Sequence, residues 1–120
     1  MNCFINLSNH PSKNWNLEQQ TEARKFGEIV DYQFPAVSPY STETEINEMA
    51  ERIVAEISEM KPVAVMCQGE YTLCFALVIK LKAKGIKVVA SCSDRVTVEE
   101  QKDNNTVKTA VFKFIRFREY

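Results

Sequence analysis

The chain holds a single histidine, His10, in the segment SNHPS (8–12), directly after the apolar run CFINL (3–7). An imidazole with an ordinary pKa of ~6.5 suits proton transfer near neutral pH, and this one stands in a polar loop rather than on an apolar face. Ser8 and Asn9 beside it carry a hydroxyl and an amide, groups that orient a ligand as readily as they stabilise a turn. Two further segments concentrate polar residues in the same way. QGEYT (68–72) supplies Gln68, Gly69, Glu70, Tyr71 and Thr72, and SCSDR (91–95) supplies Ser91, Ser93, Asp94 and Arg95. Gly69 lets a ligand approach the backbone closely, and a helix beginning near Thr72 offers free N–H groups to a phosphate. Glu70 has the chemistry of a general base or nucleophile, and equally that of an acid in the first turn of a helix. Arg95 can donate to a phosphate or simply pair with Asp94. Trp15 and Tyr40 offer rings for stacking on a base, with packing across a loop as the plainer role. Singly, each of these residues has an ordinary structural use; the case for a site rests on where they meet.

That meeting depends on the elements around them. CFINL (3–7) is short, apolar and closed by Ser, Asn and Pro, which marks a buried strand leading into a loop. Asn16 and Gln19 resemble a capping arrangement for a helix over 17–26 that ends at Gly27. EIVDYQF (28–34) alternates like a strand packed on one face, and PAVSP (35–39) stops it. Thr42 and Glu45 fit a Thr-x-x-Glu capping box, and Ile46, Met49, Ala50, Ile53, Val54, Ile57 and Met60 recur beyond it at helical spacing. VAVMC (63–67) reads as a strand covered on both faces, a helix runs from Tyr71 or Thr72 to Lys84 with Gly85 closing it, and IKVVAS (86–91) is a further strand. Finally, VTVEEQK (96–102) and VKTAVFKFIRF (107–117) bracket the turn-rich DNNT (103–106) as a β-hairpin. The order predicts one α/β domain over 1–120, a doubly wound, mostly parallel sheet flanked by helices with a C-terminal antiparallel hairpin. In such sheets ligands bind beyond the carboxyl ends of the strands. SNHPS, PAVSPY (35–40), QGEYT and SCSDR would all leave from that edge, and the three polar ones can converge on one crevice.

Composition narrows the chemistry. With 120 residues, 45% of them hydrophobic, the chain can bury a real core. Its 15 basic and 16 acidic residues nearly cancel, so no global field attracts nucleic acid and a duplex-binding role is not expected. Cys3, Cys67, Cys74 and Cys92 lack Cys-x-x-Cys spacing, and no metal site is expected. Three of the four lie in apolar runs, no signal peptide precedes them, and the longest apolar run, LCFALVI (73–79), falls far short of the ~20 residues of a membrane span. A reduced, cytoplasmic protein without a membrane segment is the expectation. Neither Gly-x-Gly-x-x-Gly nor Gly-x-x-x-x-Gly-Lys-Ser/Thr occurs, so no dinucleotide or nucleoside triphosphate cofactor is expected.

The opening strand with NLSNHP (6–11), Gln19 in the first helix, CQGEYTL (67–73) and the whole α/β order carry a resemblance. The chain resembles the small CRISPR-associated proteins grouped with the ring nucleases, single-domain Rossmann-like relatives of the CARF (CRISPR-associated Rossmann-fold) domains that bind cyclic oligoadenylates. The resemblance implies cyclic tetra-adenylate as ligand, bound across a homodimer. It implies metal-independent cleavage as well, which would switch off type III CRISPR signalling: each ribose 2′-OH attacks its neighbouring phosphate in line and leaves a 2′,3′-cyclic phosphate. Ser8, Asn9 and His10 would then orient ribose and phosphate, with His10 protonating the departing 5′-oxygen. Backbone N–H groups from Gly69 to Thr72 would hold a phosphate, Gln68 or Glu70 would contact sugar or base, and Arg95 would neutralise charge. These roles follow loop position rather than a matched catalytic motif. Three other readings stay open: a module that binds or senses the cyclic nucleotide without cutting it, a nucleoside-processing enzyme with Glu70 as nucleophile, and an interaction protein whose hairpin pairs with a partner strand.

Overall fold

A computed structural model describes residues 2–120. The sheet is built from β1 (Cys3–Ser8), β2 (Glu28–Gln33), β3 (Ala64–Cys67), β4 (Lys87–Lys102) and β5 (Asn105–Glu119), and the helices are α1 (Leu17–Arg24), α2 (Glu43–Glu59) and α3 (Tyr71–Ala83). Spatially the strands run β2-β1-β3-β4-β5, with β1/β2, β1/β3 and β3/β4 parallel and β4/β5 antiparallel. The α/β class, the mostly parallel sheet and the C-terminal antiparallel hairpin expected from the sequence are all present.

Burial explains the pattern of each strand. β1 and β3 are central and covered on both faces, so every residue in them is buried. β2 is an edge strand and is only half covered. Beneath one face, α2 and α3 bury Ile46, Ala50, Ile53, Val54 and Ile57 together with Leu73, Leu77, Val78 and Leu81 against Ile5, Leu7, Val65 and Val88. Full burial of each aliphatic side chain contributes ~1.5–3 kcal/mol relative to exposure. α1 covers the other face around Phe4, whose ring lies 5.4 Å from Phe26, 5.1 Å from Phe117 and 6.4 Å from Trp15.

The helix ends follow their local chemistry, with one exception. The capping box at α2 is complete: Thr42 Oγ1 accepts from the Glu45 N–H and Glu45 Oε1 accepts from the Thr42 N–H. Gly85 follows α3 with φ 77°, the left-handed position that glycine takes at no steric cost. At α1, however, Asn16 stands at the expected N-cap but its side chain makes no capping hydrogen bond. Its amide donates to the Phe112 carbonyl instead (3.2 Å), and Gln19 turns inward.

The largest departure lies at 91–95. The sequence suggests a loop there, whereas β4 continues unbroken from Lys87 to Lys102 because β5 pairs with it along its whole length, across one irregularity between Cys92 and Ser93. β3 pairs with β4 only as far as Val89. The rest of the hairpin is therefore a two-stranded arm, closed by Asp103 and Asn104, whose φ values of 49° and 65° are the pair of positive angles that a tight primed turn demands. The turn is thus tighter than the four residues 103–106, and both strands are longer than their composition suggests. Among the described residues no helix is long and apolar enough to cross a membrane.

Candidate ligand cleft at the strand-order switch

From β1 the chain crosses to β2 on one side, and β3 then pairs on the other side of β1. Where the order reverses, the loops after β1 and β3 diverge and open a crevice at the carboxyl edge. A cleft of about 710 Å³ occupies this place. Ser8 closes β1 at its base, Met66 and Gln68 come from the end of β3, Ser91 and Ser93 from β4, Phe112 from β5, and Gln19 from α1, while the loop from His10 to Asn16 forms the wall.

That wall is held by its backbone. Asn6, buried at 1% exposure in the middle of an otherwise apolar strand, donates its amide to the His10 carbonyl (2.8 Å) and to Asp31 Oδ1 (3.0 Å). The Ser8 hydroxyl donates to Asn6 Oδ1 (2.6 Å) and accepts from the His10 N–H (3.2 Å). Trp15 Nε1 donates to the same His10 carbonyl (3.1 Å), filling its second lone pair, and the Asp31 carboxylate receives the Ser12 N–H (3.3 Å). The bonds from Asn6, Ser8 and Trp15 fix the main chain at His10 and leave its imidazole exposed, with no hydrogen-bond partner among the described residues.

The floor is fixed in a similar way. Gln68 Oε1 accepts from both the backbone N–H (2.9 Å) and the hydroxyl (2.8 Å) of Ser91, which leaves the Gln68 amide nitrogen free to donate. Gln19 is the unusual group: only 8% exposed, its side chain has one hydrogen-bond partner among the described residues, the thioether of Met66, at 3.7 Å. A thioether is a weak acceptor, so a nearly buried amide with a carbonyl oxygen and a second N–H unspent lines the cleft. His10 is the one titratable residue in the lining. The cleft therefore offers neutral hydrogen-bonding groups, two aromatic residues and a single proton carrier.

A model of the Uncharacterized protein MJ1673 family matches residues 2–118. The chain belongs to that family. No curated protein and no solved structure matches it. The match covers all three helices and all but the last residue of β5.

In this MJ1673-family chain, Ser8, His10, Gln68, Ser91 and Ser93 come together as the sequence suggests. The other candidates do not join them. Asn9 turns to the β2 side and lines a separate hollow with Asp31 and Gln33. Gly69 meets Phe34 instead of a ligand, since a Cβ there would stand 2.6 Å from the Phe34 ring. Glu70 is the N-cap of α3: its carboxylate accepts from the backbone N–H groups of Thr72 (3.0 Å) and Leu73 (2.8 Å) and from the Thr72 hydroxyl. Those bonds, led by the one from Leu73, hold its pKa below the usual carboxylate range. Of the N–H groups from Gly69 to Thr72 expected to receive a phosphate, that of Thr72 is thus already spent on a tethered anion. Tyr71 is 90% exposed, and Thr72 faces a groove between α2 and α3. Arg95 is an exposed residue of the arm opposite Phe112, two positions beyond Ser93, and neither lines the cleft nor pairs with Asp94.

Asn6, Trp15, Gln19, Met66 and Phe112 complete the site. Asn6 leaves a trace in the sequence, a lone amide inside an apolar strand. Phe112 leaves none, because only the return of β5 brings it over the cleft.

Proposed function

We propose that the cleft binds cyclic oligoadenylate, with cyclic tetra-adenylate as the first candidate, and that His10 acts as general acid in its cleavage. The observation that carries this reading is Gln19, a nearly buried amide partnered only by a thioether in a cleft whose one titratable group is His10. A purine edge presents both donors and acceptors and satisfies such an amide. The neutral side chains of Asn14, Asn16, Gln68, Ser91 and Ser93 suit ribose hydroxyls and phosphate oxygens. In the reaction the 2′-hydroxyl gives its proton to water and its oxygen bonds to phosphorus, the bond from phosphorus to the 5′-oxygen breaks, and His10 supplies the proton to that leaving oxygen. The wall fixes the backbone that carries the imidazole, and a bound ring would orient the side chain itself; positioning of this kind is where metal-independent cleavage gains most of its rate.

Pockets of about 300–1,000 Å³ suit one drug-sized ligand, so a four-nucleotide ring exceeds a cleft of 710 Å³ and calls for two clefts facing each other. The exposed apolar residues Phe112 and Ile115 on the arm support closure by a second copy. Arg95, farther out on β4, is a cation that a bound ring could meet. A second reading, sequestration without cleavage, is favoured by the absence of any lysine or arginine among the residues lining the cleft. A nucleophilic Glu70 draws no support from a carboxylate committed to capping α3.

Incubation of the purified chain with labelled cyclic tetra-adenylate tests the proposal. A linear product ending in a 2′,3′-cyclic phosphate is expected. Intact ring held tightly at stoichiometric protein selects sequestration, and absence of binding overturns both.

A further inference from the structure

On the α2/α3 face of the sheet, outside the cleft, a cluster of sulfur and phenol groups serves no role so far. Cys67, the last residue of β3, is fully buried, and its Sγ lies 3.6 Å from that of Cys74 in α3, a partly exposed residue. The Tyr120 hydroxyl donates to the Cys67 carbonyl (2.8 Å) and stands 4.0 Å from the Cys74 sulfur. We propose that Cys67 and Cys74 form a reversible dithiol–disulfide site that takes a hydroperoxide as its oxidant.

The geometry divides the labour between the two thiols. Cys74 is reachable from solvent and Cys67 is not, so Cys74 is the attacking sulfur and Cys67 the resolving one. The hydrogen bond from the Cys67 thiol, with help from Tyr120 and the Gly69 N–H, lowers the Cys74 pKa to about 7, against a raising effect of burial and of the neighbouring Glu70 charge. The same contact and full burial push Cys67 upward and keep it a protonated thiol. A thiolate fraction near neutral pH and partial exposure are what peroxide-reactive cysteines share.

The step balances as follows. The Cys74 thiolate attacks one peroxide oxygen, the O–O bond breaks, and the departing hydroxide takes a proton to become water, leaving Cys74 as a sulfenic acid. The Cys67 sulfur then attacks the Cys74 sulfur, the S–O bond breaks, and the hydroxyl leaves as water with the Cys67 proton. Two thiols are oxidised by two electrons and one peroxide is reduced to two waters. The sulfurs need only close from 3.6 Å to the ~2.05 Å of a disulfide. The bond would tie the end of β3, one residue before Gln68, to the first turns of α3.

The experiment treats the reduced full chain with hydrogen peroxide, alkylates it in denaturant with iodoacetamide, and weighs the peptides. Expected is a linked Cys67–Cys74 pair two hydrogens lighter than the reduced peptides and restored by dithiothreitol, with Cys3 and Cys92 alkylated. Cys67→Ser should accumulate a Cys74 sulfenic acid that dimedone captures, and Cys92→Ser should leave the Cys67–Cys74 link intact. In the untreated chain, alkylation of Cys74 should rise with pH through about 7, because the thiolate is the nucleophile. Alkylation of both Cys67 and Cys74 after peroxide, a link through Cys92, or no dimedone adduct in Cys67→Ser would overturn the proposal.

Discussion

The loops after β1 and β3 leave the same edge of the sheet from neighbouring strands, and they put their polar residues to opposite uses. After β1, the side chains of Asn6, Ser8 and Trp15 bond to the main chain at His10, so the loop is held while the imidazole stays unpaired among the described residues. After β3, the side chain of Glu70 bonds to the main chain of its own helix, and its charge is consumed there. Equal position does not mean equal function. A group is available to a ligand only where other residues take over the work of holding the backbone.

Three substitutions probe that contrast. His10→Ala should slow cleavage of cyclic tetra-adenylate by about a hundredfold or more, the usual contribution of a general acid. Its thermal midpoint should stay unchanged, since the bonds at this position run through the backbone. Asn6→Ala removes the hub that joins the His10 carbonyl to Asp31, and a urea titration should show a loss of about 1–3 kcal/mol, the cost of leaving a buried polar group unpaired. Retention of full stability in that variant would remove the support we assign to the wall. Glu70→Ala should cost about 1 kcal/mol, the value of a helix cap, with no effect on cleavage. The Glu70 carboxyl titrates lower in the folded chain than in the unfolded one, so its contribution is complete above the ordinary glutamate pKa of ~4.3 and is lost as pH falls. The gap between wild type and Glu70→Ala should accordingly narrow on acidification. A gap that widens instead would contradict the capping role.

Much of the frame was legible before any coordinates. Thr42 and Glu45 announce the start of α2, the spacing of Ile46, Ala50, Ile53 and Ile57 sets its buried face, and the unbroken apolar stretch at 63–67 marks a central strand. The loop reading of 91–95 failed because Ser, Asp and Arg are typical loop residues, while the ladder to β5 that makes them a strand is a long-range pairing. Gln19 was visible as a residue but not as a buried one, since α1 carries almost no apolar stripe to orient it. A glutamate at this position suits a base or nucleophile as well as a helix cap, and only hydrogen-bond geometry separates the two. His10 was found by its rarity, yet its freedom depends on Asn6, a residue hidden within an apolar run.

The central claim is that the cleft between the ends of β1 and β3 is the ligand site and that Gln19 reads the ligand. Calorimetric titration of wild type, Gln19→Leu and Glu70→Gln with cyclic tetra-adenylate tests it most directly. The account predicts one ring per two chains for wild type, an affinity at least about tenfold weaker for Gln19→Leu, as expected when a buried polar partner is lost, and no change for Glu70→Gln. Unchanged affinity in Gln19→Leu, or a loss confined to Glu70→Gln, would contradict it.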